Sequence, residues 1–413
     1  MPPKDRSRYL QLAVLICAAG SIYPLIYLRQ NFELSLLDTL GIGLTELSEC
    51  YAILGLTFFL AYLPSGVLAD RFNTKGLVLC SLITTAGLGF WFSTFPELVA
   101  LKLIFLGWGL SSGLTFWAAL IKIVEGLANP NEQGRYFGLL EGGRGLVEAL
   151  LATLAVVLFS SLLSREIAVS IALERIIYVY TAFILVQIPA VYFLLDDRHY
   201  KRESALGFSR LVKELTGLLF NGRLWLCAFC ILTAYQFFWA TYSFSAYLQE
   251  VHSFSAVLAA SLTVAKLWMR PIGAVLAGFV GDFSGREYTV AFLLFAASGA
   301  LALVAVLPPQ AGMWLLFATV LLIGFLSYAL RGIYWSTLQQ CGVSNSSKGL
   351  AIGTISVIAF TPDIYLPLAN SALLTSFPGA QGYSLYFLSI SACGIIGGLA
   401  AVALSKKGFS DGK

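Results

Sequence analysis

The chain has 413 residues, 58% of them hydrophobic and 12% charged, with a net charge of +4 and a mean hydropathy of +0.81. Soluble domains carry roughly 25% charged residues, so no soluble packing hides this apolar surplus. That excludes a cytosolic enzyme, a secreted disulfide scaffold and a nucleic-acid binder. The expected class is an all-α membrane protein.

In chain order, the basic stretch Met1–Arg8 runs straight into an apolar segment with no small-residue cleavage site, so it reads as the entry to a first helix. Apolar runs between polar breaks then give about twelve spans, each near the ~20 residues that cross a bilayer. Their expected limits are 9–30, 46–69, 75–94, 98–122, 135–160 and 173–195, then 223–248, 256–280, 287–307, 311–338, 348–372 and 383–405. The longest polar interruption, 196–222, divides the chain into a six-helix bundle over 1–195 and another over 223–413, with a cytoplasmic linker between them. Lys and Arg gather in alternate loops, including those holding Arg71, Lys75, Lys201, Arg202 and Lys348. Both termini are therefore expected on the cytoplasmic side.

The two halves repeat each other. Gly66-Val67-Leu68-Ala69-Asp70-Arg71-Phe72-Asn73-Thr74-Lys75 follows span two, and Gly278-Phe279-Val280-Gly281-Asp282-Phe283-Ser284-Gly285-Arg286 follows span eight, 212 residues later. Gly66 and Asp70 recur as Gly278 and Asp282; the first copy adds Arg71 and Lys75 to the candidate gating residues, and the second adds Gly285 and Arg286. Physically the loop reads as a gating latch: glycines allow helix ends to approach, the acids face helix N-termini, and the cations pair with acids or lipid phosphates. Asn73 stands opposite Gly285 of the second copy, as a residue that tolerates a left-handed backbone.

On these loops and the twelve spans, the chain resembles the major facilitator superfamily, whose loop signature is G-x-L-a-D-r-x-G-r-k. The resemblance implies two pseudo-symmetric six-helix bundles that expose a midplane site alternately to each face. Tyr27-Leu28-Arg29-Gln30-Asn31-Phe32 resembles a segment of the organophosphate:phosphate antiporters in which the arginine binds phosphate. Tyr247-Leu248-Gln249-Glu250-Val251 is similar to the same family, although span seven lacks that family's second arginine. Leu330-Arg331-Gly332-Ile333-Tyr334-Trp335 and Phe360-Thr361-Pro362-Asp363-Ile364 resemble YihN-like bacterial permeases.

Charges inside spans cost ~2.5–3.5 kcal/mol each on insertion scales, which makes them functional candidates. Glu141, Arg144 and Glu148 share one face of span five; an internal ion pair and a proton or substrate site are both open readings. Lys266 and Arg270 lie one turn apart in span eight with no acid in that helix, and suit an anionic ligand. Asp363, between Pro362 and Pro367 in span eleven, is a candidate proton site, with Arg331 of span ten as a partner of opposite sign. By depth alone Arg29 snorkels to the outer interface; the antiporter resemblance instead makes it a substrate ligand.

The expected function is a secondary transporter in a cytoplasmic-type membrane. Its cargo is a small organic anion held by Arg144, Lys266 and Arg270, with Arg29 and Arg331 as further candidates. Glu141, Glu148 and Asp363 are the proton carriers. A neutral or zwitterionic metabolite, a lipid substrate and a non-transporting sensor are the alternatives. There is no Walker-type phosphate loop, so an ion or solute gradient drives the cycle. Partners are the solute, protons and the lipid bilayer, and neither nucleic acid nor a second subunit is called for. Two histidines and seven scattered cysteines build no metal site, and no cofactor is expected. Cys227-x-x-Cys230 reads as interior packing inside an apolar helix.

Overall fold

The computed structural model describes residues 3–128, 133–196, 215–343 and 348–405. Most of the sequence linker, 197–214, therefore lies outside the described residues, and so do the side chains of Asp70 and Asp282. Helices account for the regular structure, with no strand among the described residues. Twelve of them are long and apolar enough to cross a membrane. They fall into two compact units, Met1–Ser204 with Phe254–Trp268, and Ala205–Ser253 with Met269–Lys413. Relative to the division read from the sequence, the first part of span eight groups with the N-terminal unit.

Several spans are broken, and the breaks position the charges. Span one runs over Ser7–Leu40, ten residues beyond its sequence limit. It consists of Pro3–Ile26 and Arg29–Leu40, joined by a turn at Tyr27 and Leu28, with Phe32 at a non-helical φ of −134° and ψ of 34°. Gly41 closes it in the left-handed region (φ 64°), where Gly41 and Ile42 donate to the carbonyls of Asp38 and Leu37. Span four contains a π-helical segment, Leu110–Phe116, whose looser ladder is patched by Ser111 and Ser112 hydroxyls donating to the Trp108 carbonyl. There Gly109 and Gly113 let span four close on Thr57 and Phe58 of span two.

Span eight is interrupted at Trp268, between Ala256–Leu267 and Met269–Ser284, with Pro271 in the first turn of the second piece where proline is best tolerated. Span eleven breaks between Lys348–Ala359 and Pro362–Ser376. Side-chain caps secure other helix starts: Asn221 accepts from the backbone of Arg223 and Leu224, and Ser255 from that of Leu258.

Candidate functional site

In the first unit, the break in span one places Arg29 inside the protein. The residue is 1% exposed, and its Nε donates to Glu33 Oε2 at 2.6 Å, while an Nη contacts the same oxygen. The snorkelling expectation is therefore corrected. Arg29 finds its counter-charge one turn along its own half-helix, which removes any drive to reach the interface. Glu33, fully buried, is a site residue that the sequence reading missed. Tyr51 supports the pair: the guanidinium lies 5.0 Å from the centre of its ring, and its hydroxyl donates to the Ile26 carbonyl at the break. Tyr27, in the turn itself, stacks on Tyr51 with ring centroids 5.8 Å apart.

Span five contributes Arg144, buried between the rings of Tyr23 and Trp117 at 5.4 and 5.2 Å. It also donates to Glu141 at 3.1 Å. Glu141 itself is 47% exposed, so of the span-five trio only Arg144 is buried; Glu148 is half-buried. Close packing of spans one and five comes from Gly20, against Val147, and Gly143, against Ile16. The first half of span eight packs on Arg29–Leu40 and on span five. Its Thr263 hydroxyl donates to Asn31 Oδ1 at 3.0 Å, and Lys266, one turn further, is 0% exposed.

In the second unit, Asp363 begins the half-helix Pro362–Ser376 and is 2% exposed. Its Oδ1 accepts from the Tyr235 hydroxyl at 2.8 Å and from Trp239 Nε1 at 2.5 Å, both on span seven. Spacing of four residues puts those two donors on one helical face. Arg331 lies over the rings of Tyr235 and Phe238, at 5.6 and 4.1 Å, and its charge acts on Asp363. Arg270 lies 5.8 Å from the ring of Tyr328, which in turn meets Phe238 edge-on at 5.9 Å. A chain of rings thus links Arg270, Arg331 and Asp363.

Trp268 keeps helical backbone angles (φ −66°, ψ −15°), so Lys266 and Arg270 lie on either side of it within one span, Ala256–Gly281. The sequence signal for Tyr235 and Trp239 was the aromatic crowding of span seven. Cys227 and Cys230 are buried packing residues, with Cys227 Sγ 3.2 Å from the Thr337 hydroxyl.

The loop repeats differ from expectation in two respects. A Cβ at Gly66 or Gly278 meets nothing within 4 Å, whereas Gly281 of the second copy is tight against Ile333 of span ten. That close crossing of spans eight and ten continues at Gly273 against Phe325 and Gly332 against Ala274. Asn73 is not left-handed: at φ −60° and ψ 114° it caps span three, accepting from Gly76 N. Lys75 donates to the Leu195 carbonyl at 2.9 Å and covers the Tyr192 ring, whereas Arg71 is exposed. Gly285 takes φ 90° and Arg286 starts the next helix.

The sequence profile of the Major Facilitator Superfamily matches residues 12–362. The chain belongs to the Major Facilitator Superfamily. Among its relatives, inner membrane protein YqcE of Escherichia coli K12 is 26% identical over 403 residues, covering 94% of this chain and 93% of YqcE. Inner membrane protein YihN of the same organism is 21% identical over 412 residues, covering 97% and 96%. The fold is similar to that of a bacterial homologue of the human lysosomal transporter Spinster, inward-facing and unoccupied (TM-score 0.76, 14% identity, 98% of each chain). It is also similar to that of the nucleoside transporter NupG (TM-score 0.71, 16% identity, 98% of this chain and all of the other). As a superfamily member the protein is a membrane transporter of small solutes.

Proposed function

We propose that this transporter carries a small organic anion across the cytoplasmic membrane by alternating access, coupled to protons or to exchange. It works as a monomer with both termini cytoplasmic. The observation that carries the reading is the balance of buried charge. Among the described residues, Arg29, Arg144, Lys266 and Arg270 are buried within spans, against Glu33 and Asp363; the other buried acid, Glu287, lies in the first turn of span nine. An interior with a positive excess is costly in a bilayer, and an anionic solute offsets that cost.

The Arg29–Glu33 pair supplies a coupling route. A solute carboxylate or phosphate that engages Arg29 competes with Glu33, whose carboxylate then takes up a proton, because a buried acid without its counter-charge favours the neutral form. Glu33 thereby joins Glu141, Glu148 and Asp363 as a candidate proton carrier. Within the second unit, Arg331, Arg270 and the rings of span seven form a separate set of candidate solute contacts.

A second reading, transport of a neutral metabolite, is favoured by the fold shared with a protein described as a nucleoside transporter. In it the interior charges are permanent structural pairs. Thermal unfolding of the detergent-solubilised protein with matched solutes separates the two, since binding to the native state raises apparent stability. The anion reading expects benzoate to stabilise more than benzamide does and orotate more than uridine does, and that advantage to be lost when Lys266 and Arg270 are both replaced by Gln. Stabilisation by the neutral members alone, retained in the double variant, overturns it.

A further inference from the structure

The half-helix Pro362–Ser376 holds a polar group that the charges of the site leave unused. Asn370 is 1% exposed, and neither its Nδ2 nor its Oδ1 has a hydrogen-bond partner among the described residues. Burying a donor and an acceptor together without partners is among the more destabilising choices a helix-packed core can make. An apolar side chain of similar size avoids the loss, so retention of an amide here points to a ligand that supplies both missing bonds.

The position of Asn370 supports this. It lies seven residues after Asp363, on the same helical face, and Asp363, Leu366, Pro367 and Asn370 are all buried along it. That half-helix packs on spans seven and twelve. Pro367, lying between the two polar residues, has no N–H, so the Asp363 carbonyl lacks its usual helical donor and adds an acceptor to the segment. Span seven carries a run of aromatic faces: Tyr235 and Phe238 stack at 5.7 Å, and Tyr242 meets Phe238 and Trp239 edge-on at 5.0 and 4.9 Å.

The complement of a carboxamide is another amide in the cis arrangement. Nδ2 donates to the ligand's C=O while Oδ1 accepts from the adjacent N–H. A metal cation satisfies only Oδ1 and is repelled by the amide hydrogens; a simple carboxylate satisfies only Nδ2. A lactam edge satisfies both, and its planar ring matches the aromatic faces of span seven. We propose that Asn370 selects solutes carrying a planar heterocycle with a lactam edge. This deepens the transport reading above and rests on it for the protein's being a solute carrier, but not for the sign of the solute's charge.

The test is thermal unfolding of the purified full chain with three probes. Orotate has a lactam edge and a carboxylate, benzoate has the carboxylate alone, and uridine has the lactam edge without charge. Orotate is expected to stabilise the wild-type protein far more than benzoate does. Asn370→Leu is expected to raise the melting temperature of the ligand-free protein, because it removes the unpaired amide. The same change weakens orotate binding on the order of 10²-fold while leaving the benzoate response as it was.

Equal stabilisation by orotate and benzoate in the wild-type protein overturns the proposal, and that comparison needs no variant. So does an orotate response unchanged in Asn370→Leu, a fall in the melting temperature of the ligand-free variant, or the absence of any response to all three probes. Stabilisation by uridine but by neither anion supports the lactam reading while sinking the anionic one, so the two fail separately.

Discussion

In the first unit, Arg29 and Glu33 neutralise each other across one turn of a single half-helix, with the ring of Tyr51 on span two beside the guanidinium. In the second, Asp363 is held by Tyr235 and Trp239, residues 128 and 124 positions away, and the nearby cation Arg331 rests on aromatic faces. The difference is one of mobility. An ion pair within one helix moves with that helix, and its acid can be exchanged for a solute anion while the guanidinium keeps its place beside the Tyr51 ring. A carboxylate held by neutral donors on another span ties two helices together, and its loss loosens their packing. The first arrangement suits a binding and release step, and the second suits a joint.

Removing one partner of each arrangement tests this contrast most strongly. Arg29→Gln leaves the Glu33 carboxylate buried without its counter-charge and is expected to destabilise the protein by about 3–5 kcal/mol. Arg29→Gln with Glu33→Gln recovers most of that stability but not anion transport. Arg331→Gln is expected to cost less, about 0.5–2 kcal/mol from the ring contacts, because Asp363 keeps both neutral donors. Thermal unfolding of the solubilised variants measures all three. An Arg29→Gln protein as stable as the parent would show that the pair is not what neutralises Glu33.

The joint in the second unit is sharpened by removing its donors. Trp239→Phe and Tyr235→Phe each take one hydrogen bond from a charged acceptor, worth about 1.5–3 kcal/mol. Because both donate to the same oxygen, each partly covers for the other, and the double variant, which leaves the Asp363 carboxylate without either donor, is expected to lose more than the two separate losses combined. Asp363→Asn keeps an oxygen acceptor for both donors and is expected to unfold close to the parent temperature while altering transport. An additive double variant in the unfolding experiment contradicts a shared acceptor.

The same contrast explains what could be read from the sequence. Twelve spans, the break at the linker and the repeated loops follow from hydropathy and spacing, which are local. The Arg29–Glu33 pair is local too, at a spacing of four, and was legible in principle. Its sign is the run of apolar residues past Arg29, through Leu34, Leu36 and Leu37 to the stop at Gly41, which makes Arg29 an interior residue of span one and not its polar end. The contacts of Asp363 were not legible. Tyr235 and Trp239 meet it only through packing of spans seven and eleven, and a single sequence holds no record of that pairing.

The smallest expected effects lie in the loop repeats, where Asn73 and Gly285 occupy equivalent positions 212 residues apart. Asn73 has an ordinary backbone and spends its side chain on a cap, accepting from Gly76 N at 2.9 Å. Gly285 has no side chain to cap with, and holds φ 90°, a conformation that other residues rarely adopt. The two positions should therefore respond in opposite ways to the same pair of residues. Asn73→Ala is expected to cost about 1 kcal/mol and Asn73→Gly only a few tenths. Gly285→Ala is expected to cost about 1–2 kcal/mol, through backbone strain and a Cβ 3.3 Å from the Tyr288 ring. Gly285→Asn should cost about as much as Gly285→Ala, since ψ 130° puts the residue outside the left-handed helical well that asparagine visits. Thermal unfolding ranks the four variants. If Gly285→Asn is clearly better tolerated than Gly285→Ala, the backbone at the second loop is not what limits it, and the gain comes from the capping oxygen that Asn73 supplies in the first.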